Sequence, residues 1–274
     1  MLAVALGLFS GLSWGVADFL GGMASRRAAV LGVVALSQAV GLAITLAALA
    51  IVHPDVPPAR ELAMGALAGL SGVVGLVAFY RAMSVGNISL IAPISALGAV
   101  VPVSLDLAAG RTPGVVAFAG MMLALAGAAL AARAPGPASR RGVSLALVAA
   151  LGFGGFFSLL AGAAASSVLW GLAASRVAST PVAVGLALAV GGGLAMSRRT
   201  VMVVVVSGAL DVGANLLFAA ASQKGLVSVV SVLGSLYPVA TVALAGVVLH
   251  ERLGRMQAVG AAVALGGVAL IAVG

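Results

Sequence analysis

Apolar residues run through this chain in long blocks, and polar residues are confined to short interruptions between them. Ten blocks stand out, over residues 2–22, 28–52, 61–82, 88–109, 113–132, 142–163, 168–195, 201–222, 226–249 and 255–273. Each is about twenty residues or slightly longer, the length at which a helix rising about 1.5 Å per residue crosses a bilayer. Lipid offers no partners for backbone N–H and C=O groups, and a barrel strand needs only about ten alternating residues, so the blocks read as helices. The connections are short, which predicts one compact bundle without a soluble domain. The expected fold is all-α and integral to the membrane, with ten transmembrane helices.

The pattern repeats. A shift of 139 lays Ala82 on Ala221, Gly86 on Gly225, Ser89 on Ser228 and Leu97 on Leu236, and a shift of 140 lays Gly120 on Gly260 and Gly127 on Gly267. The stretch richest in linker residues, Arg133–Arg141, falls between the copies. The expected division is a first five-helix repeat over 1–134, a linker over 135–141 and a second five-helix repeat over 142–274. Five spans is an odd number, so the second copy enters from the opposite side. Two inverted repeats of this kind meet at a site near the bilayer midplane.

Composition agrees with the pattern. The chain of 274 residues is 63% hydrophobic and 7% charged with a mean hydropathy of +1.27, too little polar surface for a soluble globule. The net charge of +8 is scattered singly or in pairs between apolar runs, as juxtamembrane Arg is, and argues against nucleic acid as a partner. No cleavable signal peptide is read at the start, because the first block is itself long enough to span. There is no Cys, which excludes disulfides, thiolate metal sites and Cys nucleophiles. Only Lys224 among fourteen basic residues is Lys, and Ala, Gly and Val abound, which suggests a GC-rich bacterial gene and hence the inner membrane. Basic residues concentrate in the odd-numbered connections, so positive-inside counting puts both termini outside.

Ionisable and amide groups inside the spans are the scarce signal. Asp211 lies near the middle of span 8, with Asn215 one turn on along the same face. Arg176 lies in span 7, with Thr180 one turn later, and Gln38 in span 2 stands 138 positions earlier as its counterpart. Two main readings are open: a central polar site, or an Arg176–Asp211 ion pair that only neutralises two buried charges. Snorkelling to the interface is a third. Asp18 and Asp106 sit closer to span ends, where water reaches them without a cavity, leaving Asp211 as the only acid near the midplane. Trp14 is one turn from Asp18, and an aromatic beside a carboxylate can recognise a cation, although an interfacial Trp and a solvated Asp explain the pair equally well. Pro93 and Pro102 in span 4 and Tyr237–Pro238 in span 9 place helix-bending prolines at corresponding points of the halves, a pointer to a pathway. Tyr80 and Arg81 end span 3 and read as interface markers. His250 and Glu251 are too few ligands for a metal site. The spacings Gly7/Gly11/Gly15 and Gly65/Gly69 allow close helix approach. No Walker loop, HExxH, paired intramembrane Asp or GxSxG constellation occurs, so no enzyme, cofactor or metal is expected.

These residues form a familiar series. SWGVADF at 13–19, APISALG at 92–98, SLYPVATV at 235–242, and HERL at 250–253 followed by QAVGAAVALGGVAL at 257–270 resemble, in order and spacing, the EamA family of the drug/metabolite transporter superfamily. The resemblance covers nearly the whole chain. It implies a secondary transporter, most often an exporter of amino acids or other small metabolites, with a cavity lined by helices 1 to 4 and 6 to 9 and with helices 5 and 10 at the periphery. By position, Trp14 corresponds to the family's first-span Trp, Arg176 to its span-7 Arg, and Tyr237 with Pro238 to its span-9 motif. Gln38 stands where span 2 often carries Arg, and the Glu after span 4 is absent around Gly110, Arg111 and Thr112. Family members are drawn with both termini in the cytoplasm, against the charge count, so orientation stays open.

The expectation is therefore a transporter of small-molecule solutes in contact with membrane lipids, a monomer or homodimer, working by alternating access. Trp14, Asp18, Gln38, Pro93, Arg176, Asp211, Asn215 and Tyr237 are the candidate substrate pathway, and protons are the candidate coupling ion through Asp211. A facilitative exchanger and a non-transporting or lipid-handling protein are the alternatives. Sparse aromatics, 4% of the chain, argue against a large aromatic-lined pocket.

Overall fold

A computed structural model describes residues 1–85, 88–131, 140–190, 193–248 and 255–273. Residues 135–139 of the expected linker lie outside them, as do His250 and Glu251, and the linker's last two residues, Arg140 and Arg141, are the first of an α-helix instead. Among the described residues every regular element is helical. The first part contains α1 (Leu2–Ser25), α2 (Val30–Val52), α3 (Ala59–Val85), α4 (Ile88–Ala96), a 3₁₀ turn (Leu97–Ala99), α5 (Val100–Ala108) and α6 (Val115–Ala131). The second contains α7 (Arg140–Ala163), α8 (Val168–Ala189), α9 (Arg198–Ser222), α10 (Val227–Gly234), α11 (Tyr237–Val248) and α12 (Arg255–Val273). Six helices (α1, α2, α3, α7, α8 and α9) are long and apolar enough to cross a membrane, and four shorter apolar stretches accompany them. This is a membrane protein.

The element ends follow local chemistry. His53 closes α2 with a left-handed φ of 48°, and Pro54 follows. Pro57 and Pro58 then precede α3, where a missing N–H costs nothing. Ser167 and Ser197 cap α8 and α9 by accepting the Trp170 and Thr200 backbone N–H groups. Span 7 is shorter than the expected 168–195, since α8 stops at Ala189. Spans 4 and 9 are not continuous helices. The 3₁₀ turn separates α4 from α5, and a turn at Ser235–Leu236 separates α10 from α11 just before Pro238, which has no N–H to offer the Gly234 carbonyl.

Glycines set the close contacts. A methyl group on Gly11 would lie 2.7 Å from the Leu233 carbonyl oxygen, and one on Gly15 would lie 2.7 Å from that of Tyr237, so the Gly7/Gly11/Gly15 stripe of α1 rides on the broken span 9. Gly65 and Gly69 bring α3 against Gly171 and Ser175 of α8 in the same way. α1 also packs on α9, α3 on α7, and α2 on both α8 and α9, while α12 packs chiefly on α6. Three serine hydroxyls lock α1 to α9: Ser10 donates to the Ala214 carbonyl at 2.9 Å, Ser13 to Leu210 at 2.9 Å and Ser207 to Ala17 at 2.7 Å. Large apolar side chains such as Phe9, Leu12, Ile51 and Leu151 are exposed on the outside, where lipid is their solvent.

Candidate functional site

Three helices build a polar cluster inside the bundle. α8 carries Arg176, α2 carries Gln38, and α9 carries Asp211 and Asn215. The Arg176 guanidinium donates through Nη1 to Gln38 Oε1 and through Nη2 to Asp211 Oδ2 at 2.5 Å. Ser179 donates to the same Gln38 oxygen at 3.0 Å, and Thr180 to the Gln38 carbonyl at 3.2 Å. Asn215 Nδ2 donates to the Asp211 carbonyl at 2.7 Å and to Oδ2 at 3.1 Å. Both of those partners are acceptors, so the amide NH₂ must face Asp211. The amide oxygen then points elsewhere: Asn215 Oδ1 is buried and has no partner among the described residues, as is true of Arg176 Nε.

The cluster opens onto a cavity inside the bundle, lined by Gln38, Arg176, Asp211 and Asn215 among others. α1 adds Trp14 and Asp18 to its wall, α11 adds Tyr237, and α7 adds Phe153, Phe156 and Phe157. The α7 aromatics stand at i, i+3 and i+4, one face of one helix. α3 makes room for them through Gly72 and Gly75, where a methyl group would meet the rings of Phe156 and Phe153 at 2.9 Å. Trp14 is held by Phe157 and Phe218, with ring centroids 5.4 and 5.6 Å away. Phe79 backs Phe153 and Tyr237 edge-on at 5.6 and 5.9 Å. The Tyr237 hydroxyl donates to the Ala92 carbonyl at 3.1 Å, joining the break in span 9 to α4.

Comparison with known proteins follows the same layout. The EamA-like transporter family matches twice, over residues 1–133 and 140–273. The chain belongs to that family. EamA-like proteins are membrane transporters of the drug/metabolite transporter superfamily. No curated protein matches the chain. Twenty-seven solved chains do. One, a crystal structure described only as that of a protein, aligns with a TM-score of 0.77 at 19% identity, over 98% of this chain and 95% of its own. At that identity the likeness speaks for the fold.

In this EamA-like chain seven of the eight candidate residues meet at one cavity: Trp14, Asp18, Gln38, Arg176, Asp211, Asn215 and Tyr237. The eighth, Pro93, lies in α4, and its side chain is outside the described residues. Several expectations change. Asp18 is not at a solvated end but 7% exposed in the cavity wall, so Asp211 is not the only acid at depth. Trp14 is likewise buried rather than interfacial, and Tyr80 is only 2% exposed, with its hydroxyl pressed onto Gly21. Asp106 is buried and fully engaged: Oδ1 pairs with Arg111 at 3.0 Å and Oδ2 accepts the Ser228 N–H at 2.8 Å, at the N-terminus of α10.

The few aromatic residues are nevertheless concentrated at the site. Five of the twelve aromatic residues line the cavity. Phe153, Phe156 and Phe157 drew no notice in the sequence because a Phe within an apolar run has no contrast with its neighbours. Their i, i+3, i+4 spacing was the available signal.

Proposed function

We propose that this protein is a secondary active transporter that exports small metabolites by alternating access around the central cavity. The reading takes 1–134 and 142–274 as inverted five-helix repeats joined by 135–141. The helix packing supports it: α1 lies on α9 as α7 lies on α3, α2 lies on α9 as α8 lies on α3, and the pairs α2–α8 and α6–α12 are their own counterparts. The observation that carries the reading is the buried Arg176–Gln38–Asp211–Asn215 cluster, which lines a cavity together with Trp14, Asp18 and Tyr237. Ionisable groups this deep in a membrane bundle are costly and mark a substrate or ion pathway by default. Trp14, Asp18, Gln38, Pro93, Arg176, Asp211, Asn215 and Tyr237 form the substrate pathway, with Asp211 as the proton-coupling acid. The protein resides in a bacterial inner membrane as a monomer or homodimer.

The test is reconstitution in liposomes and uptake of a labelled metabolite panel with and without a pH gradient. Saturable uptake that grows with the gradient and vanishes in Asp211→Asn, with the fold intact, is the expected result. Uptake indifferent to the gradient makes the protein a facilitative exchanger. No uptake from a broad panel makes it a non-transporting or lipid-handling protein.

A further inference from the structure

The charges and unbonded atoms around the cavity are not balanced. Among the described residues its wall contains three ionisable side chains, Asp18, Arg176 and Asp211. Arg176 and Asp211 neutralise each other at 2.5 Å. Asp18, 7% exposed, makes no ion pair or hydrogen bond among the described residues. An unpaired carboxylate in an apolar bundle is costly, and a cation beside it removes the cost.

The hydrogen-bond inventory leans the same way. Asn215 Oδ1 is a buried acceptor without a donor. Arg176 Nε is a buried donor without an acceptor, but it is turned against α2, where a methyl group on Gly41 would lie 3.1 Å from it. Its Nη1 and Nη2 are already bonded to Gln38 and Asp211. A ligand carboxylate would have to compete with Gln38 and Asp211 for a guanidinium they already hold, whereas a ligand ammonium would find the Asp18 carboxylate unengaged. Trp14, one turn from Asp18 on α1, supplies a π face, and Phe157 and Phe218 hold its ring in place.

We propose that the cavity selects organic monocations, amines or quaternary ammonium compounds with an apolar or aromatic body and no carboxylate, in preference to zwitterionic amino acids. The cationic nitrogen sits between Asp18 and the Trp14 ring, and the apolar body lies against Phe153, Phe156 and Phe157. This narrows the solute class of the transporter reading and rests on it for the step of translocation.

The experiment measures equilibrium binding of radiolabelled benzyltrimethylammonium to the purified protein. The competitors are phenethylammonium, phenylalanine and neopentylbenzene, the last being the probe with its charged nitrogen replaced by carbon. The expected result is saturable binding displaced by phenethylammonium and not by phenylalanine or neopentylbenzene. Asp18→Asn should weaken it roughly ten-fold or more, as loss of a desolvated charge partner does, while Asp18→Glu retains it. Trp14→Leu, which leaves the carboxylate in place, should weaken it several-fold and serves if Asp18→Asn does not fold. Binding unchanged in folded Asp18→Asn, displacement by phenylalanine as strong as by phenethylammonium, or no binding of either cation overturns the proposal. Uptake into liposomes separates the two readings. Cation binding without flux leaves the selectivity standing and sinks transport, and flux of other solutes without cation binding does the reverse.

Discussion

Two Asp–Arg pairs among the described residues are built in opposite ways. Asp106 and Arg111 are five residues apart, brought together by the turn that ends α5. Gly110, at φ +71°, lets the Arg111 N–H reach the Asp106 carbonyl and its own N–H reach Leu107, the Schellman arrangement, and this folds the Arg111 side chain back onto the carboxylate. Both Asp106 oxygens are bonded, and the Arg111 side chain is 59% exposed to screening solvent. Arg176 and Asp211 come from separate helices, with side chains 5% and 18% exposed, and their neighbourhood keeps unbonded polar atoms. The first pair is a finished structural joint between α5 and α10. The second is an incomplete cluster beside a cavity. The two differ in their surroundings, since the Arg of the first lies open to solvent while the second is enclosed at a cavity wall.

The comparison can be broken most decisively at Arg176. Arg176→Met strands the Asp211 carboxylate, and the protein should lose about 3–5 kcal/mol, seen as a large fall in Tm in detergent. The double variant Arg176→Met/Asp211→Leu should regain most of that stability while flux stays absent; recovered flux would reduce the pair to a fastening. Gly11→Val comes next. A side chain 2.7 Å from the Leu233 carbonyl forces α1 off the span-9 break, at a cost of about 1–3 kcal/mol in thermal unfolding. Asp106→Asn sharpens the contrast from the other side. With Arg111 so exposed, its ion pair contributes at most about 1 kcal/mol, and flux should change less than about two-fold. A loss comparable to that in Asp211→Asn would erase the distinction drawn here. An effect of similar size is expected of Tyr237→Phe, which removes one neutral hydrogen bond to Ala92, worth about 1 kcal/mol in Tm measurements.

The helices were readable because lipid enforces long apolar runs, and the expected starts and ends of α2 and α7 through α9 fall within a few residues of those observed, apart from the C-terminus of α8. Gln38, Arg176, Asp211 and Asn215 were readable for the converse reason, a polar group being conspicuous in such a run. Depth was harder. Asp18 reads as near an end when α1 is taken to stop at residue 22, but the helix continues to Ser25 and the bundle closes over it. Asp106 reads as an acid that water reaches near a span end until Ser228, distant in sequence, is seen to bond it. The α7 aromatics were hidden by their surroundings, and Pro181 within α8 was passed over although it sits one turn beyond Arg176. Pairing across the fold decides these cases, and no local pattern encodes it.

The seam between the α1 glycines and the broken span 9 has one more consequence, an entropic one. Side chains that interdigitate across an interface must each settle into one rotamer when it closes and regain their freedom when it opens. Gly7, Gly11 and Gly15 have no rotamers to freeze, and two of the three face backbone carbonyls directly. The ordering at this seam therefore falls on the span-9 side alone, on side chains such as Leu233 and on Thr241, whose hydroxyl donates to the Gly15 carbonyl at 3.1 Å. Along this stripe α1 contributes backbone and no side-chain freedom to lose.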